Sequence, residues 1–419
     1  LKGLAGESYR DDAVFQELYS WYLQSPEYRI LVKKLTEASF SERPSDKIGK
    51  TVAKILYGEI SPYSATRLER FAACAFAHFL QYGLKVTERA EYEFRAMDMG
   101  NVMHMALEKF AAEVRKEGLD WAELTEEERN RIIDSCLDQV SADYGNTILK
   151  SSARNEYMIE RTRRILRRTV WALQEQLKHG AFRPEGFEVR FQGGRIDRVD
   201  IMEEPENNRV YVKVIDYKTG NTSFDLLALY HGLQLQLMVY LDGALQVEKR
   251  KYPDREIVPA GVFYYNVKDP MIQEKIHADM ESINEQMLKK MKMNGLVQAD
   301  DNMSTKIDST MASIPVSLNR DGSFSKRSSV ASRKQFDALG AYVRRKICDI
   351  RESILDGNAA VEPYELGKKN ACTYCPYLTV CGFDRKIPGY EFHRLSSIEE
   401  DALWKKIMKG EEENGSEMD

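Results

Sequence analysis

The stretch VKVIDYKTG sets Asp216 and Lys218 two residues apart. Along a strand, alternate side chains leave on the same face, so a carboxylate and an ammonium emerge together. Val210, Val212 and Val214 share that face and would bury its earlier part. Upstream, GGRIDRVDI carries Asp197. If the two segments pair as a hairpin, Asp197 reaches the face of Asp216. Two neighbouring carboxylates repel, and one keeps its proton unless a cation intervenes. Oxygen ligands completed by water suit Mg²⁺ or Mn²⁺. The lysine then has work to do, orienting an attacking water and stabilising charge that develops on a phosphate. A bare D-x-K is usually an ordinary strand-end pair. The combination here is more specific: an Asp after Gly193–Gly194, a D-x-K at a strand end, and a following helix with Gln236 and Tyr240 one turn apart. His104, in GNVMHMALEKF, sits on an amphipathic helix further upstream. Alone, such a histidine more often serves packing.

A second constellation is ACTYCPYLTVCGFD, residues 371–384, with Cys372, Cys375 and Cys381. A tetrahedral metal or an iron–sulfur cluster takes four thiolates, so a fourth must come from elsewhere in the chain. Six cysteines in 419 residues are too sparse for a secreted disulfide scaffold. The opening LKGLAGESYR lacks the apolar core of a signal peptide. The expected setting is a reducing cytoplasm, where clustered cysteines read as metal ligands before they read as disulfides. By chemistry alone, four thiolates suit zinc and an iron–sulfur cluster equally. Cys375-Pro376 echoes the Cys-Pro of ferredoxin-type clusters only weakly, and Tyr374, Tyr377 and Phe383 are candidates to shield a cluster from water. Cys136 and Cys348, alone in helix-like sequence, read as small buried hydrophobes.

These residues need a scaffold. The composition, 43% hydrophobic and 30% charged, is that of a chain able to bury a sizeable core. Its length suggests two or three domains. No apolar run is long enough to span a membrane. Residues 1–57 read mostly as helix, SFSERPSDKIGK as a linker, and SPYSATRLERFAACAFAHFL as a helix capped by Ser64. GNVMHMALEKFAAEVRKEG, TEEERNRIIDSCLDQV and NEYMIERTRRILRRTVWALQEQLKHG are further helices. The period then changes. EGFEVRFQGGRIDRVDI and RVYVKVIDYKTG read as strands joined by MEEPENN. A helix over SFDLLALYHGLQLQLMVYLDGALQ, a strand over EIVPAGVFYYNVKD and a helix over MIQEKIHADMESINEQMLKKMKM follow. NRDGSFSKRSSVASRK reads as a polar loop and QFDALGAYVRRKICDIRESILDG as helix. The tail KGEEENGSEMD is acidic and expected to be disordered. The fold class is therefore α/β, a mixed sheet within helices. No GxxxxGK(S/T) loop occurs, so ATP binding by that route is not expected. With a net charge of −5, any DNA surface must be a local patch. Arg161, Arg164 and Arg168 are spaced for one helical face and form the leading candidate, and SKRSSVASRK the next.

The order His104, GRID to Asp197, DYK from Asp216 to Lys218, and QLMVY from Gln236 to Tyr240 resembles the PD-(D/E)XK nuclease superfamily in its RecB-like branch. The resemblance implies a restriction-endonuclease-like core in which His104, Asp197 and Asp216 bind the metal and Lys218 assists the water. The Gln236/Tyr240 helix would lie beside the active site and help hold it and the DNA. SPYSATRLERFAACAFAHF is similar to the segment that opens the nuclease domain in the AddB family of helicase–nuclease subunits. There a cysteine after the RLERF helix joins three near the C-terminus on a 4Fe–4S cluster, and the matching residue is Cys74, followed by Ala75 where proline is usual. A site joining Cys74 to Cys372, Cys375 and Cys381 would staple a loop of roughly 300 residues, on the order of 5 kcal/mol by loop-closure arithmetic. The resemblance runs from about residue 61 to 385. It implies a helical end of a preceding helicase-like region over 1–60, a nuclease domain over 61–390, and a C-terminal helix and tail over 391–419. Leu1 in place of Met fits a fragment. The implied function is a metal-dependent DNA exonuclease acting on a single strand at duplex ends, in a heterodimer with an AddA-type helicase/nuclease subunit, for double-strand-break repair. The rival readings are a stand-alone Cas4-like iron–sulfur exonuclease and a metal-stapled DNA-binding scaffold without cleavage.

Overall fold

The computed structural model describes residues 13–40, 47–58, 64–89, 96–144, 152–272, 279–300, 302–387 and 389–415. The helices before the sheet are α1 (Ala13–Gln24), α2 (Arg29–Phe40), α3 (Lys50–Tyr57), α4 (Ala65–Ala73), α5 (Ala96–Lys116), α6 (Glu126–Asp143) and α7 (Ala153–Lys178). Ser64 caps α4 as its sequence predicts, its side chain accepting from the Arg67 amide. Thr125 and Glu128 form a reciprocal capping box at α6.

Six strands form one sheet in chain order. β1 (Arg183–Phe191), β2 (Gly194–Glu204) and β3 (Arg209–Lys218) are an antiparallel meander. β3 then pairs in parallel with β4 (Glu256–Asn266). A parallel pair needs a crossover, supplied by α8 (Leu226–Tyr230) and α9 (Gln236–Lys251). After α10 (Met280–Lys290), β5 (Asn294–Gln298) runs antiparallel to β4 and the two-residue β6 (Val330–Ala331) parallel to β5. α11 (Arg333–Leu355) follows, then a small second sheet of β7 (Tyr364–Leu366), β8 (Lys369–Asn370) and β9 (His393–Arg394), and finally α12 (Glu400–Gly415).

β2, β3 and β4 are buried on both faces. One face carries Tyr211, Ile215 and Tyr217 into a core shared with α5, α6 and α7. The other carries Val210, Val212 and Val214 into a core shared with α3, α4, α9 and α11. The valine face is therefore buried as expected, and Asp216 and Lys218 continue it to the strand end.

Several elements differ from their sequence reading. EGFEVRFQGGRIDRVDI is a hairpin and not one strand, because Gln192 and Gly193 turn the chain and Gly194, at a φ of 147°, opens β2. The helix read over 223–246 breaks at Gly232, whose φ of 80° ends α8 and lets α9 start afresh at Gln236. β5 and β6 are short, and their partners are distant, so local periodicity gave no sign of them. Cys136 is buried as expected, but Cys348 is exposed on α11. α12 runs through Gly415, into the acidic tail, and residues 416–419 lie outside the described residues.

Candidate active site

The meander's register brings the acidic residues together. Arg198 pairs with Ile215, which sets Asp197 opposite Asp216. On the other side, Phe187 pairs with Arg198 and Val189 with Ile196, which sets Glu188 opposite Asp197. Three carboxylates thus form a row across three strands. Asp197 and Asp216 are buried. Glu188 has a φ of 51°, a left-handed backbone that a non-glycine residue adopts at a cost. His104 reaches the row from α5, its Nδ1 3.4 Å from Asp197 Oδ2. Ligand atoms of His104, Glu188 and Asp197 all lie within 4.8 Å of one another, spacing that fits a single cation. Asp197 Oδ2 also accepts from the Tyr217 amide at 2.7 Å, which fixes the carboxylate to β3.

Lys218 Nζ is 2.7 Å from Asp216 Oδ2 and donates to Gln236 Oε1 at 2.7 Å. Gln236 Nε2 in turn donates to the Tyr240 hydroxyl at 2.9 Å. All these groups line one cleft of about 760 Å³.

The electrostatics follow from crowding and burial. Burial, then Asp197, pushes Asp216 up to about 6 despite Lys218. Burial, then Asp197, pushes Glu188 up to about 7 despite Arg195, with which it forms an ion pair. Burial opposes charge on His104, but its hydrogen bond to Asp197 together with the charges of Asp197, Asp216 and Glu188 outweighs burial and raises its proton affinity. Burial raises the Tyr240 hydroxyl to about 12, so it stays protonated. Acids that hold protons near neutrality beside a histidine of raised proton affinity make a site whose charge a divalent cation would relieve.

The four cysteines are brought to one place from opposite ends of the chain. Cys74 ends α4 and lines a small cavity with Cys372, Cys375 and Cys381. Burial, and then the other thiols, raises Cys372 to about 11, and burial raises Cys74. Among the described residues, no three of the sulfurs gather within 4.8 Å as the ligands around His104 do. Tyr377 and Phe383 line the cavity, but Tyr374, read as a shield, is 95% exposed.

Residues 62–382 match the family model for the PD-(D/E)XK nuclease superfamily. The chain belongs to the PD-(D/E)XK nuclease superfamily. The matched span contains every one of the cleft and cysteine residues above. The chain is also similar to proteins named as subunits of an ATP-dependent helicase/deoxyribonuclease. It is 40% identical to the one from Lachnoclostridium phytofermentans over 95% of the chain and 36% of the relative. It is 35% identical to the one from Alkaliphilus metalliredigens, over 94% and 36%. The chain thus spans about a third of the length of the curated relatives it matches.

Within this PD-(D/E)XK core, sequence reasoning missed Glu188. The signal was FEVRFQGG, an acidic residue just before a double-glycine turn; reading the whole stretch as one strand hid it. Of the arginines on α7, Arg163 pairs with Asp138 at 2.7 Å, and Arg167 pairs with Asp134. Arg164 sits 2.6 Å from Asp269, and Arg168 3.9 Å from the same residue. Arg161 is exposed. Acidic neighbours therefore answer much of the basic density on this helix. No described helix is long and apolar enough to cross a membrane.

Proposed function

We propose that this chain is the nuclease region of an AddB-type protein, a deoxyribonuclease that cuts one strand of a DNA end as a helicase separates the duplex. The observation that carries it is the row Glu188, Asp197 and Asp216 with Lys218 at its end. Names of the relatives support the assignment to a helicase–nuclease. The partner in this reading is an AddA-type protein, joined as a heterodimer and supplying the motor, and the setting is cytoplasmic double-strand-break repair. Residues 1–60 would end a helicase-like region, 61–390 form the nuclease domain, and 391–419 the C-terminal helix and tail.

His104, Glu188, Asp197 and Asp216 are the residues that would hold Mg²⁺ or Mn²⁺. Such an ion supplies Lewis-acid polarisation of a phosphoryl oxygen. Lys218, tethered between Asp216 and Gln236, presents its remaining N–H donor capacity to a water or a phosphate oxygen. Tyr240 holds Gln236 in the orientation that accepts from the lysine. The four cysteines are proposed to hold a 4Fe–4S cluster, with zinc as the alternative. A single zinc would draw its thiolates to about 4 Å apart, given Zn–S bonds of about 2.3 Å, and the resemblance to the AddB family favours the cluster. Arg161, Arg164 and Arg168 remain a proposed phosphate track, but DNA would have to displace Asp269. An unchanged salt dependence of DNA binding in the triple glutamine variant removes that role.

The deciding experiment uses end-labelled single-stranded DNA. Cleavage is expected with Mg²⁺ and none after EDTA. Binding without any cleavage, in protein shown to hold metal, would leave only the scaffold reading.

Cation binding should also depend on pH. A carboxyl with a raised native proton affinity stabilises the metal-free protein at low pH and loses that contribution as pH rises through its folded value. For Asp216 and Glu188 those values are about 6 and about 7. A cation must displace these protons, so its binding strengthens as pH rises through 6 and 7. The rise in melting temperature on adding Mn²⁺ is therefore expected to be larger at pH 8 than at pH 5.5. Equal rises would separate these two carboxylates from the cation.

A further inference from the structure

The helix that carries Gln236 and Tyr240 has no cap of its own. Its N-cap residue is Leu235, which offers no side-chain hydrogen bond. The first amides of a helix have no partner within it, and burying them unpaired is costly. Here the partner comes from 166 residues away. Glu69 on α4 places one carboxylate oxygen, Oε1, 2.7 Å from the Leu235 amide and 2.9 Å from the Gln236 amide. A carboxylate at this end also complements the helix dipole.

From this contact a continuous chain of hydrogen bonds reaches the catalytic row. The Gln236 backbone is held by Glu69, its side chain accepts from Lys218, and Lys218 meets Asp216. The Lys218 ammonium has few other anchors: it lies 5.5 Å above the Tyr264 ring and is about a quarter exposed. A flexible four-carbon stem needs such anchoring to stay on target. The break at Gly232 is what exposes these amides to Glu69; an unbroken helix over 223–246 would have used them internally.

We propose that Glu69 is a positioning residue for the nuclease reaction, capping α9 from α4 so that Gln236 holds Lys218 on the carboxylate row. Its reaction half rests on the nuclease reading above; its capping half does not. The burial that makes the contact effective is also what raises Glu69 to about 7, with the two amides and Lys218 opposing. The same helix ends at Cys74, so α4 joins the cysteine cavity to the catalytic lysine through one rigid element.

The test compares Glu69→Ala and Glu69→Gln with wild type in the full chain. A glutamine keeps an oxygen that accepts both amides. Hydrogen exchange of residues 235–240, read without metal or DNA, is expected to quicken about tenfold in Glu69→Ala, as loss of a cap predicts, and to stay near wild type in Glu69→Gln. Single-turnover cleavage is expected to fall roughly 10- to 100-fold in Glu69→Ala, as for loss of a supporting shell. DNA affinity in Ca²⁺ should change less than twofold, and Glu69→Gln should recover most of the rate. Unchanged exchange overturns the capping. Faster exchange with an unchanged rate overturns the positioning role. If Glu69→Ala does not fold, Glu69→Asp replaces it: charge is kept but reach is shortened by a methylene, so it should lose more rate than Glu69→Gln. The opposite order sinks the proposal. Wild-type protein that cuts no DNA refutes the nuclease reading, and with it the reaction half, while exchange still decides the cap.

Discussion

Replacing Asp216 with alanine should lower the Mg²⁺-dependent cleavage rate by about 10³-fold or more and leave DNA binding in Ca²⁺ nearly intact. Asp216 lies near the end of β3, between β2 and β4, opposite Asp197 and 2.7 Å from Lys218. Its loss removes a proposed cation ligand and the anchor of the lysine together. Several kcal/mol of transition-state stabilisation is at stake, and roughly 4 kcal/mol corresponds to 10³ in rate. A second signature separates this from misfolding. Burial and Asp197 both disfavour the Asp216 charge, so metal-free Asp216→Ala should be at least as stable as wild type at pH 8. Wild-type cleavage by the purified variant would sink the assignment of the row.

Cys74→Ser is expected to be the most damaging change to stability. The cavity it lines joins the start of the matched domain to its end, yet among the described residues the apolar cluster there has three buried members, Ala77, Leu80 and Tyr377. Beyond that cluster, the joint includes Tyr377 donating to the Val86 carbonyl at 3.0 Å and the Phe76 amide donating to the Ala360 carbonyl at 3.0 Å. α4 and α11 also share the larger core on the valine face, but the segment that carries the three clustered cysteines is held at this small cluster, where the proposed crosslink would contribute on the order of 5 kcal/mol. Protein purified without air should be brown, absorb broadly near ~400 nm and hold about four irons per chain. The variant should lose the colour and be cut by protease within residues 355–400. One zinc and no iron in never-oxidised wild type would reject the cluster and keep the staple. A colourless, metal-free wild type that resists protease would reject both.

Much of this was legible along the chain. Asp216 and Lys218 share a face because strand periodicity is two, and the valines before them bury that face; neither fact needs a third dimension. The helices α5 to α7 announced themselves by period and the start of α4 by its cap, Ser64, but the single helix read through FAACAFAHFL breaks at Cys74, whose backbone is extended. The three clustered cysteines stood within ten residues. What local sequence did not contain was partnership. Glu188 is an ordinary strand residue until the turn at Gln192–Gly193 folds β1 back on β2 and the register sets it against Asp197. The arginines of α7 look like a free basic stripe until Asp134, Asp138 and Asp269 pack beside them. Two-residue β6 has no period to read, and exists because β5 offers an edge. Glu69 lies in plain view in RLERF, but its use depends on a helix break 163 residues later, where Gly232 frees two amides for it. Sequence by itself determined which groups could do chemistry and which face of each element would be buried, because those follow from side-chain type and backbone period. The tertiary structure alone decided which charges meet, since a contact between distant residues is set by strand register and helix packing, and neither is written in the few residues around either partner.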